Sequence, residues 1–380
     1  MSRSLLAVVA LSAALAAPVQ ASTGDSLRSS PPRVAASAWY LVGADGAVLA
    51  ESSARRRRPP ASITKLMTAI VTLEHAHLSD VVEVSPRAAR VGESTVYLRA
   101  DEELTVGQLL RGMLVRSAND AAEALALYVG RGSQGRFVAL MNAEARKLGL
   151  TDTTFANPHG LDEPGHLTSA RDTTFLVRYA LGIPFIRETL QRTQVSLPGG
   201  REFPTTDDLL ESWPPLVAGK TGHTADAGWS EAAAASRDGA TVYGSVLGSR
   251  DRAQRNEALE SLLSYGLAQY RRVFAIDAGR VYAEAETGYG RHAVGLVARR
   301  SRFAAVRVGV TLVERIVAPV SVALPVRKGA SLGRVEVYDG NRLVAAERLV
   351  AASTVSEPGL LGKAAWYTRR TAANLWGIVS

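Results

Sequence analysis

The chain has 380 residues, 47% hydrophobic and 21% charged, a composition that excludes a disordered, collagen-like or mini-protein chain and leaves apolar mass for large cores. No cysteine is present, which removes disulfides, thiolate metal sites and cysteine nucleophiles, and the six histidines lack the His-Glu-x-x-His spacing of a metal hydrolase. The formal net charge of +8 suits an anionic wall or membrane surface, but no zinc finger or aromatic RNA-binding signature accompanies it, so nucleic acid is not an expected partner.

Residues 1–21 read as a secretory signal: Arg3, an apolar run from Leu5 to Ala17, and small residues at Val19 and Ala21 on either side of Gln20. The run falls short of the ~20 residues of a comfortable bilayer span, which favours cleavage over an anchor. The mature chain is therefore expected outside the cytoplasm. Residues 22–36, rich in Ser and Pro as far as Pro32, read as a flexible spacer.

A β-hairpin is predicted from Ala38–Leu41 and Val48–Glu51 around Gly43-Ala44-Asp45-Gly46. A helical block follows, with Phe137, Leu140, Met141 and Leu148 at helical spacing and Asn119-Asp120 placed to cap Ala121–Val129. Strand-like segments return at Val217–Thr224, Trp229–Ala235 and Thr241–Leu247, with the turn Arg237-Asp238-Gly239 between the last two. Helix-like Asn256–Gln269 closes the unit. Strands at both ends of a helical insert predict an α+β domain over 37–272, one antiparallel sheet flanked by helices with an all-helical insert.

Beyond Arg271-Arg272 the texture changes to short β-rich runs, Arg307–Leu312, Val320–Leu324 and Arg334–Tyr338, with a hairpin turn at Asp339-Gly340. These predict a small all-β domain at 273–355. The tail, 356–380, sets Leu361, Ala365, Thr368, Ala372, Leu375, Trp376 and Val379 on one helical face and Lys363, Arg370 and Asn374 opposite, as in a helix lying in a membrane interface. Its internal cations argue against spanning. The alternative is a helix docked on its own domain.

Three motifs carry chemistry. Pro59-Pro60-Ala61-Ser62-Ile63-Thr64-Lys65 runs into the apolar positions Leu66, Met67, Ile70 and Leu73, placing Ser62 at a helix N-terminus and Lys65 one turn later on the same face. Helix-end N–H groups favour negative charge at the serine, and the amine lies within reach of the hydroxyl proton. Arginine does not deprotonate in proteins, so only lysine fits this role. Keeping it neutral near pH 7 means lowering a pKa of ~10.4 by about 3 units. Burial and a second cation are the usual means. Ser62 as a plain helix cap is the alternative.

Only five of the 44 Lys and Arg residues are lysines, Lys65, Lys147, Lys220, Lys328 and Lys363, so Lys220-Thr221-Gly222 on a strand is informative. Gly222 lets a ligand lie against the strand backbone, while Lys220 and Thr221 offer a cation and a hydroxyl donor for a substrate carboxylate. Ser117-Ala118-Asn119 adds another hydroxyl and an amide, or else merely caps a helix.

With these residues in place the sequence resembles the penicillin-recognising serine D-Ala-D-Ala carboxypeptidases, the low-molecular-mass penicillin-binding proteins, from about Ser37 onward. The resemblance rests on Ala61-Ser62-Ile63-Thr64-Lys65-Leu66-Met67-Thr68, Arg116-Ser117-Ala118-Asn119-Asp120, Asn157-Pro158-His159-Gly160-Leu161-Asp162, Lys220-Thr221-Gly222-His223-Thr224 and Leu262-Leu263-Ser264-Tyr265-Gly266, in that order. It implies Ser62 as acyl-ester nucleophile, Lys65 as its base, Ser117 as proton shuttle and Asn119 as substrate orienter. Lys220 and Thr221 would hold the terminal carboxylate, and the backbone N–H groups of Ser62 and His223 would form an oxyanion hole. Arg255 resembles a family arginine near the carboxylate pocket, and His159 a loop residue bordering the cleft. The partners it implies are peptidoglycan stem peptides, β-lactams as inhibitors, and a membrane surface at the tail, with no metal or other cofactor.

One segment departs from the pattern. Where the family shows an Asn-x-Asn stretch with a basic residue before two leucines, this chain has Thr205-Thr206-Asp207-Asp208-Leu209-Leu210, two acids that would repel a carboxylate or change the preferred peptide. A β-lactamase is disfavoured because the deacylating Glu-x-x-Leu-Asn pattern is missing between 120 and 219. An endopeptidase acting on cross-links and a non-catalytic wall-peptide-binding module stay open at this level.

Overall fold

The computed structural model describes residues 30–379, with side chains through residue 372. The predicted signal, most of the spacer and the tail side chains Asn374, Leu375, Trp376 and Val379 lie outside the described residues. Two compact units divide between Gln269 and Tyr270. Arg271-Arg272, the last residues of the 37–272 domain expected from sequence, lie in the strand Tyr270–Ile276.

The first unit is built on a five-stranded antiparallel sheet. Its spatial order is Val48–Ser52, Ala38–Gly43, Ala240–Ser249, Gly228–Arg237 and Leu216–Thr224. The first hairpin of this unit therefore pairs with the sheet's last strand in sequence, and the strand bearing Lys220 is an edge. Successive residues of a strand point to opposite faces, which places the two covering helices. Gly244 lies so close to Leu263 of the helix Arg252–Ala268 that a β-carbon would approach its side chain to 3.1 Å. The next residue, Ser245, bonds Thr173 and Thr174 of the helix Ala170–Ala180 at 3.0 and 2.8 Å. One helix thus covers each face. Small residues make this close approach possible, with Ala232, Ala233, Ala234 and Ala235 consecutive and buried in the adjacent strand.

The helical insert packs the helices Thr64–His75, Val106–Val115, Asn119–Val129 and Gln134–Lys147 around Ile63, Leu66, Met67, Leu109, Leu110, Leu125, Phe137 and Met141. Thr105 and Gln108 form a reciprocal capping box at the start of Val106–Val115. The expected cap at Asn119-Asp120 differs: Ala118 holds the cap position without a side-chain bond, and Asn119 is the first helical residue. Asp120 turns back to accept from the N–H groups of Val96, Leu98 and Ala121, tying down the preceding loop. That leaves the Asn119 amide free for another task.

The second unit contains a six-stranded sheet and the strand pair Tyr270–Ile276 with Arg302–Arg307, over a core of Ile276, Leu296, Val306, Val335, Val337 and Leu349. The hairpin at Asp339-Gly340 joins Ser331–Asp339 to Arg342–Ala351 as expected from sequence. The predicted strand Arg307–Leu312 is instead a turn between Arg302–Arg307 and Leu312–Val317, and Val320–Leu324 shrinks to Ser321–Val322. The unit ends in the helix Leu360–Val379, which starts by laying Trp366 against Tyr289 at 5.4 Å between ring centroids.

Phe137 is fully buried. Phe137→Ala is expected to lower unfolding stability by about 3–5 kcal/mol, read from the urea midpoint of the helical insert.

Candidate active site

Pro60 leads into a single 3-10 turn, Ala61–Ile63, and the helix Thr64–His75 continues from it. Ser62 caps nothing, since neither helix start carries a side-chain cap. The turn is held in an unusual shape: Ala61 has φ +49°, a left-handed conformation that an L-residue adopts at a cost of about 1 kcal/mol or more. Two glycines press on it. A β-carbon on Gly160 would lie 2.0 Å from the Ala61 carbonyl oxygen, and one on Gly222 would lie 2.9 Å from the Ser62 nitrogen. The loop carrying His159 and the edge strand carrying Lys220 therefore clamp the serine from two sides. Thr224 Oγ1 and the Asp226 N–H both donate to the Asp162 carboxylate, at 2.6 and 3.1 Å, and fasten those two elements to each other.

Lys65 is fully buried one turn after Ser62. Its Nζ stands 2.7 Å from Ser62 Oγ, 2.7 Å from Asn119 Oδ1 and 2.6 Å from the His159 carbonyl oxygen. The Asn119 Nδ2 donates to the Gly92 carbonyl at 3.0 Å, which fixes the amide so that its oxygen faces the amine. Burial, and after it the Lys220 charge, hold the Lys65 amine well below its usual pKa. Two of the three neighbours, Asn119 Oδ1 and the His159 carbonyl, can only accept. A neutral amine thus gives its two N–H bonds to them and turns its lone pair to the only partner with a proton to surrender, the Ser62 hydroxyl.

A second lysine completes the cluster. Lys220 Nζ donates to Ser117 Oγ at 2.9 Å and to the Thr221 carbonyl at 2.8 Å. Burial draws Lys220 down to about 7, with Asp207 and Glu231 opposing the drop and Arg255 adding to it. Ser117 is itself held at φ +65°. Thr221 Oγ1 lies 2.7 Å from Thr206 Oγ1, so two hydroxyls meet at the residue following Lys220. The structure brings Ser62, Lys65, Ser117, Asn119, Lys220, Thr221 and Gly222 together. The His223 side chain is exposed and stacks on Trp229, 4.3 Å between centroids, so only its backbone is placed by the strand.

Arg255 engages acids rather than these residues. Its buried guanidinium pairs with Glu231 at 3.1 Å and Asp208 at 3.5 Å. Asp208 is also gripped by Arg252 through two bonds and by Asn256 Nδ2 at 3.1 Å, so its charge is compensated. Asp207 is buried against Glu231, with Gly219 between them. Sequence reading missed Glu231 and Thr206. A lone acid preceding four alanines in an apolar strand was the available signal for the first.

The histidines near the cluster are neutral supports. His166 Nδ1 accepts from the Ala156 N–H at 2.8 Å, so its Nε2 carries the proton and donates to Thr64 Oγ1 at 2.9 Å. Burial pulls His166 down to about 4 and His159 to about 3.

A serine whose hydroxyl faces a desolvated lysine amine, with a second serine and a second lysine beside it, defines an active-serine hydrolase of the lysine-base type. The chain belongs to the D-alanyl-D-alanine carboxypeptidase family, peptidase family S11, whose model matches residues 25–251. It is 32% identical over 362 residues to D-alanyl-D-alanine carboxypeptidase DacC of Escherichia coli, covering 87% of each chain. It is 29% identical over 387 residues to DacD of Salmonella typhimurium, covering 97% of this chain and 99% of that one. Penicillin binding protein 5 of Haemophilus influenzae superposes with a TM-score of 0.63 at 27% identity, over 87% of this chain and 100% of the other. The α+β architecture and the carboxypeptidase activity expected from sequence agree with these matches.

Unfolded histidine binds its proton near 6.5. Both buried rings stay neutral to lower pH, so their stabilising contribution is complete above about 6.5 and is lost as pH falls toward 4 for His166 and 3 for His159. His166→Gln is expected to reduce the slope of stability against pH between those limits by up to ~1.4 kcal/mol per pH unit, measured by urea unfolding at several pH values.

Proposed function

We propose that the chain is exported and removes the terminal D-alanine of peptidoglycan stem pentapeptides through an acyl-enzyme on Ser62. Ser62 Oγ attacks the carbonyl joining the two D-alanines while its proton passes to Lys65 Nζ. The negative oxygen of the tetrahedral intermediate is received by the backbone N–H groups of Ser62 and His223. The proton returns through Ser117 to the departing amine, D-alanine leaves, and water hydrolyses the ester by the same base. Asn119 orients the peptide, and Lys220, Thr221 and Thr206 hold its terminal carboxylate. The observation that carries this reading is the buried, donor-saturated Lys65 amine 2.7 Å from Ser62 Oγ.

The expected result is release of free D-alanine from a synthetic stem pentapeptide, abolished by Ser62→Ala and reduced at least about a hundredfold by Lys65→Ala, which removes the general base. A labelled penicillin should map by mass to Ser62. Binding of the pentapeptide by the unsubstituted protein without release would instead support a non-catalytic wall-peptide module.

The tail helix is proposed to lie on a membrane surface. Its docked side uses Lys363, paired with Glu357 at 2.6 Å and seated over the Tyr289 ring, together with Trp366. The described part of the opposite apolar face, Leu361, Ala365, Thr368 and Ala372, is exposed. Among the described residues no helix is long and apolar enough to cross a membrane. Deleting 359–380 is expected to move the protein from the membrane to the soluble fraction, and an unchanged membrane fraction rejects the anchor.

A further inference from the structure

Behind Lys220 lies a cluster of buried charge that the reaction scheme does not use. Glu231 stands opposite Thr221 on the neighbouring strand and is fully buried, and Asp207, in the turn before the short helix Leu209–Ser212, is buried as well. Their carboxyl groups converge on Gly219, where a β-carbon would sit 2.8 Å from Glu231 Oε1 and 3.1 Å from Asp207 Oδ2. Neither of these two oxygens has a hydrogen-bond donor. Two facing carboxylates without a donor between them repel, whereas one shared proton relieves the repulsion and satisfies both oxygens.

The surrounding charges leave one net positive charge for a ligand only with that proton present. From the helix Arg252–Ala268, Arg255 pairs with Glu231 and Asp208, and Arg252 pairs with Asp208. From the edge strand comes Lys220, with Ser117 on its far side. Beyond them is Lys65, whose amine is already depressed. A singly protonated Asp207–Glu231 pair together with Asp208 leaves the cluster of two arginines and Lys220 with one net positive charge for an incoming carboxylate. A doubly ionised pair would cancel it.

We infer that Asp207 and Glu231 share one proton at neutral pH and act as positioning residues whose single negative charge keeps Lys220 protonated for the terminal carboxylate of the substrate. The inference rests on the carboxylate-binding role of Lys220 proposed above. Burial, then the neighbouring acid, push Glu231 well above the carboxylate range, and burial also raises Asp207. Lys220, drawn to about 7, is where the loss of one buried charge nearby has most effect.

The test measures stem-pentapeptide affinity against pH in the Ser62→Ala protein. Binding is expected to weaken as pH rises through about 7, as Lys220 loses its proton. E231Q imitates the protonated acid and leaves that midpoint in place. D207N/E231Q removes the negative charge and lowers it by about one pH unit or more. Infrared spectra of the unsubstituted protein are expected to show a protonated carboxyl C=O band at neutral pH that disappears in E231Q. If the double variant does not fold, this band decides the matter. A midpoint lowered by E231Q about half as far as by the double variant means two ionised acids, and an unmoved double variant means two neutral ones; either overturns the inference, as does a missing band. D-alanine release by the unsubstituted enzyme is followed in parallel. Without release the reaction scheme fails, whereas release with an unmoved midpoint counts against the pair alone.

Discussion

Lys65 is a primary amine sealed from water among three oxygen atoms, and most of the site exists to keep it there without its usual charge. Burying a lone ammonium is costly, so the proton is what the protein gives up. The arrangement demands a fixed helix start at Asn119, a loop that delivers the His159 carbonyl, and a serine turn pinned in a left-handed conformation. Each of these is supported from outside the site. Asp120 anchors the loop beneath Asn119, Asp162 ties the His159 loop to the edge strand, and His166 holds Thr64.

The two lysines show how one environment yields two different bases. Both are fully buried, but Lys65 bonds carbonyl-type acceptors and a serine and burial dominates its shift, whereas Lys220 has the Asp207 and Glu231 acids opposing the effect of burial. Lys65 is thereby suited to accept a proton and Lys220 to keep one. The charge retained on Lys220 also helps to strip Lys65. The acids that depart from the family pattern at 207 and 208 sit within this balance. Asp208 is absorbed by Arg252 and Arg255, and Asp207 faces Glu231.

What sequence revealed followed from residue scarcity and spacing. Ser62 and Lys65 were readable because three residues equal one helical turn, and Lys220 because lysine is rare in this chain. The central strands were readable from apolar runs bounded by turn residues. Less was visible wherever tertiary contacts decided the outcome. The cap expected from Asn119-Asp120 gave way because the Asn119 amide serves Lys65 and the Asp120 carboxylate serves a preceding loop. Glu231 and Arg255 found each other across the sheet–helix boundary, a pairing without any spacing rule. In the second unit, short strands of mixed polarity blurred their own limits, so the turn at 308–311 was read as strand.

Ala38–Gly43 is the first strand of the described chain, yet its inner partner is Ala240–Ser249. Pairing across so long an intervening segment has high contact order and is intrinsically slow to form. The Lys220 edge depends on the same sheet, because Gly228–Arg237 joins it to Ala240–Ser249. Until the sheet closes, the Lys65 side chain is a hydrated ammonium of ordinary basicity and Ser62 an ordinary alcohol. The unfolded polypeptide is accordingly latent, and its reactivity arrives only with the closed sheet.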